Sequence, residues 1–212
     1  MKRLLLSAAI FCTIAAHAQS DKFNDAMGKT LGMMGTAKAP ADYISVSAAF
    51  ERIGDAEKTQ WLPYYYAGLS LSTLGWMDQS IDKDANADKI KAFCDKAEAA
   101  APDNTAKSEI ETLRNMAATQ SMMVDPQTRW QTYGMEAGAA LQKGMQLDPN
   151  NPRLYYLQGM SLFGTPEQFG GGKDKAKPVF EKAVELFKAA QPKPLYPNWG
   201  KEQAEAQLAL CN

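Results

Sequence analysis

Residues 141–151 read Leu141-Gln142-Lys143-Gly144-Met145-Gln146-Leu147-Asp148-Pro149-Asn150-Asn151. A helix-forming run stops abruptly at Asp148-Pro149-Asn150-Asn151, where proline cannot continue the helix and the Asn/Asp side chains favour a turn. Residues 94–104 echo it as Cys94-Asp95-Lys96-Ala97-Glu98-Ala99-Ala100-Ala101-Pro102-Asp103-Asn104. Similar helix ends recurring along one chain are the mark of a repeat architecture.

Outward from these stops the chain reads as helix throughout. Alanine, leucine, lysine, glutamate and glutamine dominate the periodic segments, and no run of alternating β-branched residues suggests a strand. The spacing predicts helices over 20–35, 41–54, 61–75, 84–100, 104–123, 127–147, 151–163, 173–190 and 198–211. Phe23, Met27, Leu31 and Met34 form an apolar stripe on the first. Ser20 and Asp21 suit its N-terminal cap. Gly54 and Gly75 suit C-terminal caps, and Pro63 sits in a first turn.

Tyr64, Ala67, Gly68 and Leu71 place an aromatic, a small pair and a large residue on one helix. Tyr155, Gly159 and Leu162 repeat the arrangement. Ala97 and Ala183 take a small position in the following helices, with Phe180 at an aromatic one. With the Asp-Pro-Asn-Asn stop, these marks resemble the tetratricopeptide repeat over residues 60–190, and the chain is similar to uncharacterised secreted tetratricopeptide-like proteins of Gram-negative bacteria. The resemblance implies an all-α fold, an α-solenoid of about three to four degenerate tetratricopeptide-like helix pairs with a C-terminal capping helix. Residues 20–54 become an N-terminal capping pair, and 198–211, with Trp199, Ala204 and Leu208, the capping helix. The pattern departs in three places. A loop from Trp76 to Ala87 is inserted, Arg114 stands where glycine would fall, and the 164–172 turn is enlarged.

The first residues stand apart. Lys2 and Arg3 precede an apolar run, Leu4 to Ala16, and Ala16-His17-Ala18 matches a small-x-small cleavage site before Gln19. Residues 1–18 are therefore expected to be a cleaved secretory signal, leaving 19–212 as a single periplasmic or secreted domain. The run is too short to span a bilayer, so no stable membrane insertion is expected. Phe11 before Cys12 is wrong for lipoprotein processing. Without Lys2 and Arg3 the chain carries 21 basic and 24 acidic residues, a net charge of −3, with no basic stripe for nucleic acid. The single histidine, His17, leaves with the signal, and with it the commonest general base and zinc ligand. No Gly-x-Ser-x-Gly elbow or cysteine pair at metal spacing occurs, so no metal, cofactor or catalytic role is expected. Glu109 and Glu111, like Glu202 and Glu205, lie in polar stretches and read as solvated faces.

Four other features invite chemistry. Asp82-Lys83-Asp84-Ala85-Asn86-Ala87-Asp88 alternates oxygen donors, but Ala87 stands where a calcium loop needs glycine and Phe93 where it needs glutamate. Its plainer reading is a loop that caps the next helix. Phe169-Gly170-Gly171-Gly172-Lys173-Asp174 is a glycine-rich turn before a helix. Glu167 and Asp174 break the Walker pattern, and a tight connection with Phe169 tucked under it is expected. The methionines lack histidine or Met-x-Met company and read as core. Cys94 and Cys211 are two small buried hydrophobes or a bridge closing the array.

The last feature is aromatic. The first helix of each repeat pair lines the groove of a tetratricopeptide array, and helical spacing puts Tyr65, Leu69 and Ser72 on one stripe and Tyr156, Met160 and Phe163 on the matching one. These six are the candidate partner groove, against the alternative of ordinary packing between repeats. A carboxylate clamp does not fit a face carrying Tyr65, Tyr66 and Leu69. The function expected is a non-catalytic interaction module binding a protein or peptide. A soluble periplasmic solute-binding component, holding a small apolar ligand, is the alternative.

Overall fold

The computed structural model describes residues 21–212. The expected signal at 1–18 and Ser20 lie outside them. The described chain is all-α, with no strand. Helix α1 covers 21–36, followed by α2 (Pro40–Glu57), α3 (Leu62–Met77), α4 (Lys83–Ala99) and α5 (Asn104–Met122). Then come α6 (Pro126–Arg129), α7 (Met135–Leu147), α8 (Pro152–Gly164), α9 (Lys173–Ala189) and α10 (Lys201–Leu210).

Local chemistry sets the starts. Asp82 accepts the Ala85 N–H at 3.0 Å to open α4, and Asp103 accepts that of Ala106 at 2.8 Å to open α5. Asn151 does the same for α8 through Arg153 N–H at 3.0 Å, with Pro152 in the first turn. Each satisfies a backbone donor that the helix itself leaves free. The stretch expected as one helix over 127–147 is interrupted, since Trp130–Gly134 winds as a π-turn between α6 and α7. Gly54 and Gly75 are not caps. Both lie inside helices, which run on to Glu57 and Met77. A Cβ on Gly54 would stand 2.7 Å from the Tyr64 ring, and one on Gly75 would collide with Gln120. The cap of α2 is Lys58, at a left-handed φ of 52°.

Consecutive helices pack as antiparallel neighbours. Ser47 of α2 donates to the Ala67 carbonyl of α3 at 3.1 Å. Along α5 and α7, Ser108 donates to the Gly144 carbonyl and Asn115 to that of Ala137, so the two run in opposite directions. Between α3 and α5 the order is parallel: Tyr65 meets Glu109, and the Ser72 carbonyl accepts from Gln120 at 2.8 Å. The close approach expected at Gly68 and Gly159 is present. A Cβ on Gly68 would lie 3.1 Å from Leu113, and one on Gly159 2.5 Å from the ring of Phe180.

The main core runs from α1 to α5 around Met27, Phe50, Tyr65, Ile90, Ile110 and Leu113. A smaller one holds Ala183, Val184, Phe187 and Ala204 between α9 and α10. Between α9 and α10 the chain does not turn directly. Residues 190–200, with Pro192, Pro194 and Pro197, form a non-helical strap that turns at 194–196, where Leu195 is left-handed and the Tyr196 N–H bonds the Lys193 carbonyl. This strap returns to the start of the fold, where Leu195, Tyr196 and Trp199 pack on the main core.

Candidate functional site

The six residues expected to line a groove separate into two groups. Tyr65, Leu69 and Ser72 are core residues, and Tyr65 and Ser72 have no exposed surface. Their burial has identifiable causes. Gln120 from α5 covers Ser72. The strap covers Tyr65: the Trp199 indole N–H donates to its hydroxyl at 2.8 Å. Beside it, Tyr66 donates to the Leu195 carbonyl at 2.9 Å, and the Tyr196 ring meets Trp61 edge-on at 5.5 Å. Tyr156 and Phe163 are half-buried around Phe180, and Met160 is exposed. Tyr156 also meets Trp199 edge-on at 6.4 Å.

Beneath the strap lies a buried ion pair. Arg153, at the start of α8, stands 3.0 Å from Glu109 of α5, with each side chain 7% exposed. Arg153 also donates to the Pro197 carbonyl and lies over the Phe187 and Trp199 rings. Glu109 is therefore not on a solvated face, and neither is Glu111, which pairs with Lys143 at 2.7 Å and is buried. Glu202 and Glu205 are exposed as expected. Burial raises the Glu109 carboxyl above the ordinary glutamate range, against the pull of Arg153. Burial, with Glu109 alongside, likewise holds the Tyr65 phenol well above the ordinary tyrosine range.

A separate groove of about 420 Å³ opens between α1 and α2. Phe23 and Ala26 from α1, with Ala49 and Ile53 from α2, make its apolar part, and Met33 adds a thioether. The cations Lys22, Lys29 and Arg52 also line it, with one carboxylate, Glu57. No ion pair engages these three cations among the described residues. A face of this make-up suits a ligand that is apolar and anionic at once. None of the six expected residues contributes to it. The α1 stripe pointed here only in part: Lys22 and Lys29 are two turns apart on one face, while Arg52 and Ile53 join them from the next helix.

No protein-family model matches the chain, and no curated protein does. Among solved structures, the HusA haemophore from Porphyromonas gingivalis is similar at a TM-score of 0.74 and 36% identity. The match covers 91% of this chain and 92% of HusA. The chain belongs to the HusA haemophore family.

In this HusA-family protein the remaining features are structural. The Asp82–Asp88 stretch is not a loop, since α4 begins at Lys83, and three of its oxygen-bearing side chains are already engaged. Asp82 is a cap, Asp84 pairs with Arg129 at 2.8 Å, and Asn86 bridges the Leu71 carbonyl and Gln120. The described residues contain no group of three His, Cys, Asp or Glu placed to hold a metal. The glycine-rich turn is tight, with Gly170 and Gly172 at φ of 87° and 100° and the Gly172 N–H bonded back to the Leu162 carbonyl. Phe169 is not tucked under it but stands 74% exposed, because a one-turn 3-10 helix holds the ring outward. Cys94 and Cys211 are both free, which excludes the bridge from this structure. Among the described residues no helix is long and apolar enough to cross a membrane.

Proposed function

We propose that the protein is a secreted, non-catalytic binder of heme, held in the groove between α1 and α2. The observation that carries the ligand is the kinship with HusA over almost the whole of both chains, since a haemophore is a secreted protein that binds heme. The groove supports the location. Heme is a flat apolar ring with two carboxylates on one edge. Phe23, Ala26, Ala49 and Ile53 supply apolar surface, and Lys22, Lys29 and Arg52 supply partners for the carboxylates. No histidine follows His17, so ring burial and carboxylate pairing have to supply most of the affinity. Met33 is the one sulfur donor lining the groove.

The same reading takes residues 1–18 as the export signal, cleaved near Ala18-Gln19, and 19–212 as the mature domain. It takes α1–α2, α3–α4, α5–α7 and α8–α9 as tetratricopeptide-like pairs, with α10 as the cap. The antiparallel order of α5 and α7, the parallel order of α3 and α5, and the close approaches at Gly68 and Gly159 support that organisation.

Titrating residues 19–212 with hemin tests both parts by the Soret absorption. A saturable red shift is expected. Reversing all three cations (Lys22→Glu, Lys29→Glu, Arg52→Glu) is expected to weaken binding by about tenfold or more, from roughly 0.5–1 kcal/mol per exposed charge contact. No saturable shift overturns the ligand. A shift that the triple variant leaves unchanged overturns the groove.

A further inference from the structure

The strap, a non-helical segment with one turn at 194–196, is bound to the rest of the molecule through its carbonyls and rings, as a peptide is bound by a receptor. Its prolines remove backbone donors, and within it Tyr196 N–H to the Lys193 carbonyl is the one backbone bond. Its carbonyls are met from outside instead: Tyr66 of α3 donates to Leu195 and Arg153 of α8 to Pro197. Its two aromatic rings enter a nest of aromatic and cationic groups. Tyr196 meets Trp61, and Trp199 lies among Tyr65, Tyr156 and Arg153. A charged guanidinium, fully enclosed and aimed at a peptide carbonyl, is an expensive way to fill a core. Its Nε is buried with no hydrogen-bond partner. Residues 189–194, leading into the strap, are exposed, so the hold rests on Leu195 to Trp199. Leu195 itself stands at a φ of 66°, a left-handed conformation unfavourable for a branched residue.

We infer that the face shared by α3, α5 and α8 is a peptide groove, with the strap as its internal ligand, and that it exchanges the strap for a partner's non-helical segment of the same chemistry. That segment carries two aromatic rings three residues apart around a proline, as Tyr196-Pro197-Asn198-Trp199 does, and carbonyls free to accept. The strap itself is the template, so the partner's class follows from what is already seated there. This groove is distinct from the one between α1 and α2, and its test is independent of heme.

The probe is a fluorescein-labelled peptide of residues 193–200, measured by anisotropy against the mature protein. In the first arm the groove is vacated by Tyr196→Ser with Trp199→Ser. The vacated protein is expected to bind the peptide at least tenfold more tightly than wild type, and to lose that binding on Arg153→Met. A folded, cooperatively melting double variant with no saturable binding overturns the inference, as does equal binding of a scrambled peptide. The second arm leaves the strap sequence intact, in case the variant does not fold. A protease site inserted between Ala190 and Gln191 is cut, and a labelled 191–212 fragment is added. Exchange that the unlabelled 193–200 peptide speeds or competes with is the expected result. Absence of exchange, or exchange indifferent to the peptide, overturns it, and so does strap swapping into a dimer with no peptide uptake. Hemin titration of the same double variant should match wild type, which separates failure here from failure of the heme reading.

Discussion

Replacing Gly159 by alanine adds one methyl group where α8 crosses α9. Built on the backbone, that carbon falls 2.5, 2.6 and 2.9 Å from three atoms of the Phe180 ring. Ordinary contact begins near 3.4 Å, so the ring has to move by about 1 Å. It has little room to do so, being fully buried with Tyr156 and Phe163 at centroid distances of 6.4 and 6.5 Å. Overpacking of this kind costs about 1–3 kcal/mol, against about 1 kcal/mol gained from a better helix former. The net is a loss of about 1 kcal/mol, or roughly 2–4 °C in Tm for a domain of this size. Gly138, the fourth residue of α7, is the control, because a Cβ there meets nothing within 4 Å. Gly138→Ala is expected to gain about 0.5–1 kcal/mol and raise Tm. Thermal and urea unfolding followed by circular dichroism of both variants gives the comparison. If Gly159→Ala melts at or above wild type, the close approach of α8 and α9 is wrong.

The buried Glu109–Arg153 pair makes a pH prediction. The Glu109 carboxyl is raised above its ordinary 4.5 by burial, so the folded state holds that proton more tightly than the unfolded chain. Its contribution is complete below the unfolded value and is lost as pH rises through the folded one. Glu109→Gln lacks this loss, so the stability advantage of wild type over the variant should shrink as pH is raised from 4.5. An advantage that grows with pH in urea melts would refute it. The thiols should also separate: burial pushes Cys94 up to about 12, while Cys211 is half-buried on the last turn. A thiol reagent is expected to titrate one cysteine in the folded mature protein and the second only after denaturation. Two fast native thiols, or none, would be the wrong result.

Helix positions were legible in the sequence because their causes are local. Asp82, Asp103 and Asn151 cap helices through their own neighbours, and Pro152 needs only its fixed φ. The small-residue crossings at Gly68 and Gly159 were legible because glycine beside large residues has few other uses there. Gly54 and Gly75 show the limit of that logic. The same residue read as a stop, because what decides between cap and crossing is Tyr64 or Gln120 on another helix.

The misreadings at the candidate site share one physical form. Glu109 sits in a polar stretch, and its composition matches a solvated face. It is buried because Arg153 comes 44 positions later. Tyr65 has the spacing of a groove residue, and the groove is closed over it by a tryptophan 134 positions away. Periodicity says which residues share a face and is silent on what later chain returns to cover it. The groove between α1 and α2 escaped notice for the opposite reason. Residues 20–54 read as a capping pair, and such a pair is expected to carry a polar outer face. Here Ala26, Ala49 and Ile53 stay partly exposed beside the buried Phe23, with Lys22, Lys29, Arg52 and Glu57 around them. A groove that keeps apolar surface and an excess of positive over negative side chains is poorly explained by solubility alone. On the proposed heme reading, a flat carboxylated ligand supplies on binding both the burial and the counter-charge.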